Sequence, residues 1–289
     1  MVKSQDHLFD RLNYSGDQKM KKLFKPTFFA LMTLVLLACQ ATSTVTNTPT
    51  PVPSVTTIPL PVEITDSKGV TMRLIPAGDF IMGSDAEMAG DAQPAHTVTL
   101  PDYYMDVYEV TRGRYQTCLQ AGVCSDALNV PSLESYFAEP NFPMSSLSWD
   151  AAKAYCEWRG ARLPSEAEWE KAARGTDGRT YPWGEGYDLS YFQAEAGGAH
   201  AAGIYEKGKS PYGMYDMAGN GWEWTADPLT VYPGNEGDHS YYRETDRVLR
   251  GGSWDHPDQY VVSTWFRFAS ATSDTSGYIG FRCAKDATP

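Results

Sequence analysis

Ser210–Trp224 reads SPYGMYDMAGNGWEW, and no other stretch limits the fold of this chain as tightly. Tyr212, Met214, Tyr215, Met217, Trp222 and Trp224 crowd around Gly213, Gly219 and Gly221. Large rings bury the most apolar area per residue, while glycine lets backbone take positive φ or approach closely. The stretch therefore has to lie in a core, with its glycines at turns. Asp216 and Glu223 are its only charges, seven residues apart on either side of Gly219-Asn220-Gly221. Two carboxylates flanking a tight glycine turn, whose carbonyls point inward, suit a hard cation such as calcium.

The rest of the chain divides into three parts. Residues 1–19 are polar and without pattern, and Met20 is a better start than Met1. From Met20, Lys21, Lys22 and Lys25 precede an apolar run, Phe28–Ala38, that ends at Cys39. A basic segment, a short apolar run and small residues at the cut describe a secretory signal, too short for an ordinary membrane span. An uncleaved N-terminal anchor is the alternative. Leu36-Leu37-Ala38-Cys39 resembles a bacterial lipobox, which implies lipidation of Cys39 and attachment to a membrane of the bacterial cell envelope. Gln40–Pro61, almost all Thr, Pro, Ser, Val and Ala, cannot bury a core and reads as an extended spacer. The expected organisation is a signal region at 1–38, a lipidated Cys and linker at 39–62, and one folded domain at 63–289. Without residues 1–38 the chain keeps 18 basic against 33 acidic side chains, a surface that repels nucleic acid and anionic lipid.

Within the domain the pattern is α+β. Met72–Met82 reads as two short strands about Pro76-Ala77-Gly78, and His96–Leu100 alternates as a half-buried strand. Helices are expected over Thr111–Gly122, over Trp149–Arg159 behind a Ser148 cap, and after Ser165-x-x-Glu168, a capping box. Glu166, Glu168 and Glu170 read as the solvated face of that third helix, with Glu170→Arg174 as an i,i+4 pair. Beyond Gly175 the chain turns Gly-, Tyr- and Trp-rich, so much of it is expected as loop held by packed aromatics. Cys118, Cys124, Cys156 and Cys283 are an even set in an exported domain, which suggests disulfides among three connectivities. A local Cys118–Cys124 bridge across Gly122 is feasible. The five histidines, His7, His96, His200, His239 and His256, include no close pair at metal-ligand spacing, and no phosphate loop or nucleophile elbow is present.

Further motifs surround the opening stretch: Leu74–Ser84 (LIPAGDFIMGS), Tyr104–Thr111 (YMDVYEVT), Arg162–Gly175 (RLPSEAEWEKAARG), Tyr181–Gly184 (YPWG), Val248–Trp254 (VLRGGSW) and Gly280–Arg282 (GFR). From about residue 70 to the C-terminus they run in the order of the formylglycine-generating-enzyme (sulfatase-modifying factor) family, which this chain resembles. The resemblance implies a single domain of C-type-lectin-like fold, a Cys156–Cys283 bridge, and a structural calcium ion on Asp216, Gly219, Gly221 and Glu223. One ion is expected, because Tyr191–Gly203 offers no match to the family's other calcium site. The family's enzymes place two copper-binding redox cysteines a few residues after GGS. Here the positions counted forward from Ser253 are His256 and Val261, and those counted back from Arg267 are Asp258 and Ser263. No cysteine lies between Cys156 and Cys283, so no copper and no cysteine-to-formylglycine conversion by that route are expected. Relatives that use iron take ligand histidines from a helical domain this chain lacks. What remains is a binding surface. Asp255, His256, Asp258, Tyr260 and Trp265 are the candidates to contact a peptide, protein or glycan, and Trp254 is expected in the core. The reading is a surface-anchored binding or assembly module. The alternatives are a superfamily enzyme with a divergent site and an accessory part of a surface complex.

Overall fold

The first strand of the computed structural model, which describes residues 59–287 apart from 127, 195 and 196, is β1 (Glu63–Thr65). It turns back through Asp66, whose Oδ1 accepts N–H groups from Lys68 and Val70, into β2 (Thr71–Ile75). Pro76 cannot continue a ladder, so the apolar run breaks there and β3 (Gly78–Met82) leaves for another sheet. The two strands expected about Pro76-Ala77-Gly78 exist but do not pair with each other. β3 pairs instead with β4 (His96–Leu100), Phe80 opposite Val98. β5 (Tyr103–Asp106) then lies beside β2.

The helices follow: α1 (Arg112–Gln120), α2 (Leu133–Phe137), α3 (Trp149–Trp158) and α4 (Glu166–Arg174). Ser148 caps α3 through the Ala151 N–H, and the capping box of α4 closes through Ser165 Oγ and Glu168 Oε2, as their spacing predicts. After α4 the chain is mostly loop until β6 (Trp222–Pro228), β7 (Asp246–Arg250), β8 (Arg267–Ala271), β9 (Ile279–Gly280) and β10 (Ala284–Asp286). Three sheets result, in the orders β1-β2-β5-β10, β3-β4 and β8-β7-β6-β9. Only the β6–β9 pairing is parallel among the described strands. Because β10 pairs with β5, the last described strand joins the sheet that holds the first.

Both expected disulfides form. Cys118–Cys124 closes the turn after α1, and Cys156–Cys283 ties α3 to the segment before β10. The opening stretch serves two cores at once. Trp222 and Trp224 pack with Tyr115, Tyr155 and Phe281, while Met214 and Met217 pack with Trp169, Tyr103 and Ile75. Burying one such ring is worth roughly 4–6 kcal/mol of gross transfer energy, so the aromatics of this stretch dominate the local ledger.

The acidic face of α4 is a correction to the sequence reading. Glu166, Glu168 and Glu170 are buried, not solvated. Arg267 of β8 grips Glu166 at 2.6 and 2.8 Å, Arg250 of β7 reaches Glu170 at 2.6 Å, and Arg162 holds Glu168 at 2.7 Å. A helix face that looks polar on paper is here neutralised by guanidinium groups, two delivered from distant strands and one, Arg162, from the segment just before the helix.

The expected signal region, Cys39 and the expected linker up to residue 58 lie outside the described residues. Among the described residues no helix is long and apolar enough to cross a membrane.

Candidate functional site

The glycine turn sits where its residue types require. Asp216, Gly219 and Asn220 take φ of 56°, 72° and 59°. A Cβ on Gly219 would lie 2.4 Å from the Gln193 carbonyl oxygen, so only glycine passes there. Asp216 Oδ2 accepts the Gly203 N–H at 2.6 Å. Asn220 accepts the His200 N–H at 2.9 Å and donates to Glu109 Oε2 at 2.6 Å. The contacts of His200 and Gly203 dock their loop onto the turn.

Beneath the turn, three buried carboxylates surround one guanidinium. Glu223 Oε1 accepts from Arg282 Nη2 at 2.6 Å, and its Oε2 accepts from Arg282 Nε at 2.7 Å and Trp169 Nε1 at 2.8 Å. Glu109 Oε1 is buried without a partner, facing the space that a side chain on Gly221 would fill. Burial pushes the Glu109 carboxyl well above its ordinary value, helped by the charges of Asp216 and Glu223. Burial also raises Asp216 to about 6, with the Gly203 N–H and Arg282 pulling the other way. The expected calcium ligands are therefore divided among separate partners. Glu223 is engaged on both oxygens by protein donors, and Asp216 is tied to Gly203. Among the described residues, no three His, Cys, Asp or Glu side chains group as a metal-holding set. An ion could reach Glu223 only by displacing the Arg282 and Trp169 donors. Glu109 and Arg282 lie in motifs visible in the sequence, YMDVYEVT and GFR, but nothing local signals that they meet.

The loop after Gly251-Gly252-Ser253 is the second part of the site. Gly252, at φ 74°, leaves no room for a Cβ against Val262, 2.9 Å away. His256 Nδ1 lies 2.9 Å from Ser253 Oγ and accepts from Trp222 Nε1 at 3.4 Å. The ring stands edge-on to Tyr278, and burial lowers its pKa, opposed by Asp255 and Asp258. Val261 is buried in the main core, and Ser263 donates its hydroxyl to the Tyr260 carbonyl. Neither register of the two expected cysteine positions presents a pair of soft ligands: one holds an imidazole and a core valine, the other a carboxylate and a spent hydroxyl.

Of the five candidate contact residues, Asp255 and Asp258 are exposed, and His256 and Tyr260 are half-buried in the same loop. Trp265 is not among them on the surface. It is buried with Phe80, Met82 and Tyr232, because the carbonyls of residues 264–266 wrap Arg250 and leave the ring facing the β3–β4 layer. Trp254, expected in the core, stays part-exposed, so the two tryptophans exchange roles. Rings from the YPWG region brace the loop from beside: Tyr181 donates to the Gln259 carbonyl and Tyr187 to that of Pro257. Trp183 stacks on Tyr181 and on Phe192, with ring centroids 5.1 and 5.7 Å away.

Comparison with known proteins agrees with this architecture. The profile of the sulfatase-modifying factor enzyme 1-like domain matches residues 60–287. Inactive C-alpha-formylglycine-generating enzyme 2 of Bos taurus is 30% identical over 288 residues, covering 78% of this chain and 91% of that relative. The formylglycine-generating enzyme of Streptomyces coelicolor is 30% identical over 287 residues, covering 74% and 88%. The structure of PvdO from Pseudomonas aeruginosa superposes with a TM-score of 0.66 at 26% identity, covering 80% of this chain and 100% of that one. With the motifs in order, the glycine turn and GGS loop in place and a match spanning the folded domain, this chain belongs to the sulfatase-modifying factor family of formylglycine-generating-enzyme-like proteins.

Proposed function

We propose that this protein is a binding or assembly module of the bacterial cell envelope, anchored by a lipid on Cys39 and without oxidase activity. The observation that carries the second half is the composition of the loop after Ser253. A Cu(I) centre needs soft thiolate ligands, and neither register, His256 with Val261 or Asp258 with Ser263, supplies one. The family accommodates such a loss, since the bovine relative is named as an inactive form. The binding face on this reading is the loop Asp255–Tyr260 with Tyr187 beside it. Two exposed carboxylates next to part-exposed rings suit a peptide or glycan partner, and the acidic surface disfavours nucleic acid. The second reading, an enzyme with a divergent centre, rests on the imidazole of His256 lying 2.9 Å from the Ser253 hydroxyl.

Two measurements on the purified exported chain test the proposal. Incubated with Cu(I), oxygen and a cysteine-containing peptide, it should leave the peptide mass unchanged; a product mass matching formylglycine overturns the non-oxidase reading. On peptide and glycan arrays, binding should fall at least tenfold in the Asp255→Ala/Asp258→Ala variant, about 1.4 kcal/mol or more. Equal binding by the variant moves the binding face elsewhere.

A further inference from the structure

We infer that Arg282, and not a calcium ion, is the cation that fastens the Ser210–Trp224 stretch. Calcium takes six to eight oxygen ligands. The buried guanidinium of Arg282 donates to six oxygens: both of Glu223 and the carbonyls of Asp106, Val107, Tyr215 and Asp216. It thereby joins the end of β5, the residues just before the glycine turn and the start of β6. Trp169 Nε1 supplies a third hydrogen bond to Glu223, so the carboxylate is satisfied on both oxygens without a metal. A divalent ion brought to Glu223 would have to displace these donors and sit against a buried positive charge. Among the described residues, the buried side-chain oxygen of this cluster without a partner is Glu109 Oε1, on the Gly221 side. It is a single oxygen, and Asn220 already takes the other oxygen of that carboxylate.

The test uses the exported chain with its disulfides intact, titrated with calcium by calorimetry and melted in calcium and in chelator. A site filled at a hundredfold excess over its Kd raises the midpoint of a domain this size by roughly 5–10 °C. The expected result is no saturable uptake at millimolar calcium and the same midpoint in both buffers. Arg282→Lys, which keeps the charge but loses the forked geometry, should lower the midpoint equally in calcium and chelator. Stoichiometric calcium uptake overturns the inference. Uptake abolished by Glu223→Gln would put the ion on the glycine turn, and uptake abolished by Glu109→Gln would put it on the orphaned oxygen. A midpoint loss in Arg282→Lys that appears only in chelator also overturns it, because calcium would then share the role.

Discussion

Replacing Asp216 with Asn changes one charge and almost no volume, at a residue whose backbone Asn adopts readily. The position has φ 56°, in the left-handed region where Asn and Asp are the favoured non-glycine residues. The amide oxygen can still accept the Gly203 N–H that Asp216 Oδ2 accepts now. What disappears is a buried carboxylate whose pKa is raised from 3.8 to about 6, chiefly by burial. The folded protein therefore holds a proton there that the unfolded chain releases earlier. Stability is lost as pH rises from 3.8 through about 6, and the full deficit persists above that window. Two pKa units correspond to roughly 3 kcal/mol, the upper bound on what Asp216→Asn gains at pH 7. For a domain this size that is roughly 6–12 °C in midpoint. Urea unfolding followed by tryptophan fluorescence between pH 4 and pH 8 reads it directly. The two proteins should be similar near pH 4 and diverge in favour of the variant as pH rises. A variant less stable at pH 7 would refute the reasoning, since the carboxylate would then be attractive where it sits. If that destabilisation appears in calcium and vanishes in chelator, the attraction is to the ion.

The remaining predictions concern the staples, the buried ion pairs and the anchor. Cys156 and Cys283 lie 127 residues apart and Cys118 and Cys124 lie 6 apart. Loop-closure entropy then assigns about 5 kcal/mol to the first bridge and about 2 to the second, so double Ala variants should lose stability in that order; the reverse order in urea midpoints refutes it. Glu170→Ala leaves Arg250 and Arg174 without their shared carboxylate in the core and should cost about 3–5 kcal/mol by the same assay. A loss under 1 kcal/mol would mean those arginines are held by their carbonyl partners alone. Cys39→Ser should abolish incorporation of labelled fatty acid and move the protein out of the membrane fraction; unchanged labelling rules out the lipobox.

What could be read from the sequence is what short-range chemistry controls. The capping box at Ser165, the Ser148 cap and the helix stop at Gly122 all depend on groups within a few residues, and all form. The Cys118–Cys124 bridge, feasible across a six-residue spacing, forms as well. The run of motifs placed the chain in its family before any coordinates. The missing cysteine pair was equally legible, because an absent atom type needs no geometry.

The fold decided the matters that depend on which distant groups meet. Glu223 and Arg282 are 59 residues apart, Glu170 and Arg250 80, Glu166 and Arg267 101. Glu166 and Glu170 on α4 look solvated until β8 and β7 press guanidinium groups against them. Trp254 and Trp265 are alike in composition terms, and only the wrapping of Arg250 by residues 264–266 sends one inward and leaves the other part-exposed. Asp216 and Glu223 looked like a cation site because their spacing is right. Spacing sets where carboxylates can point, but the long-range packing that supplies or withholds an arginine settles which positive charge they meet.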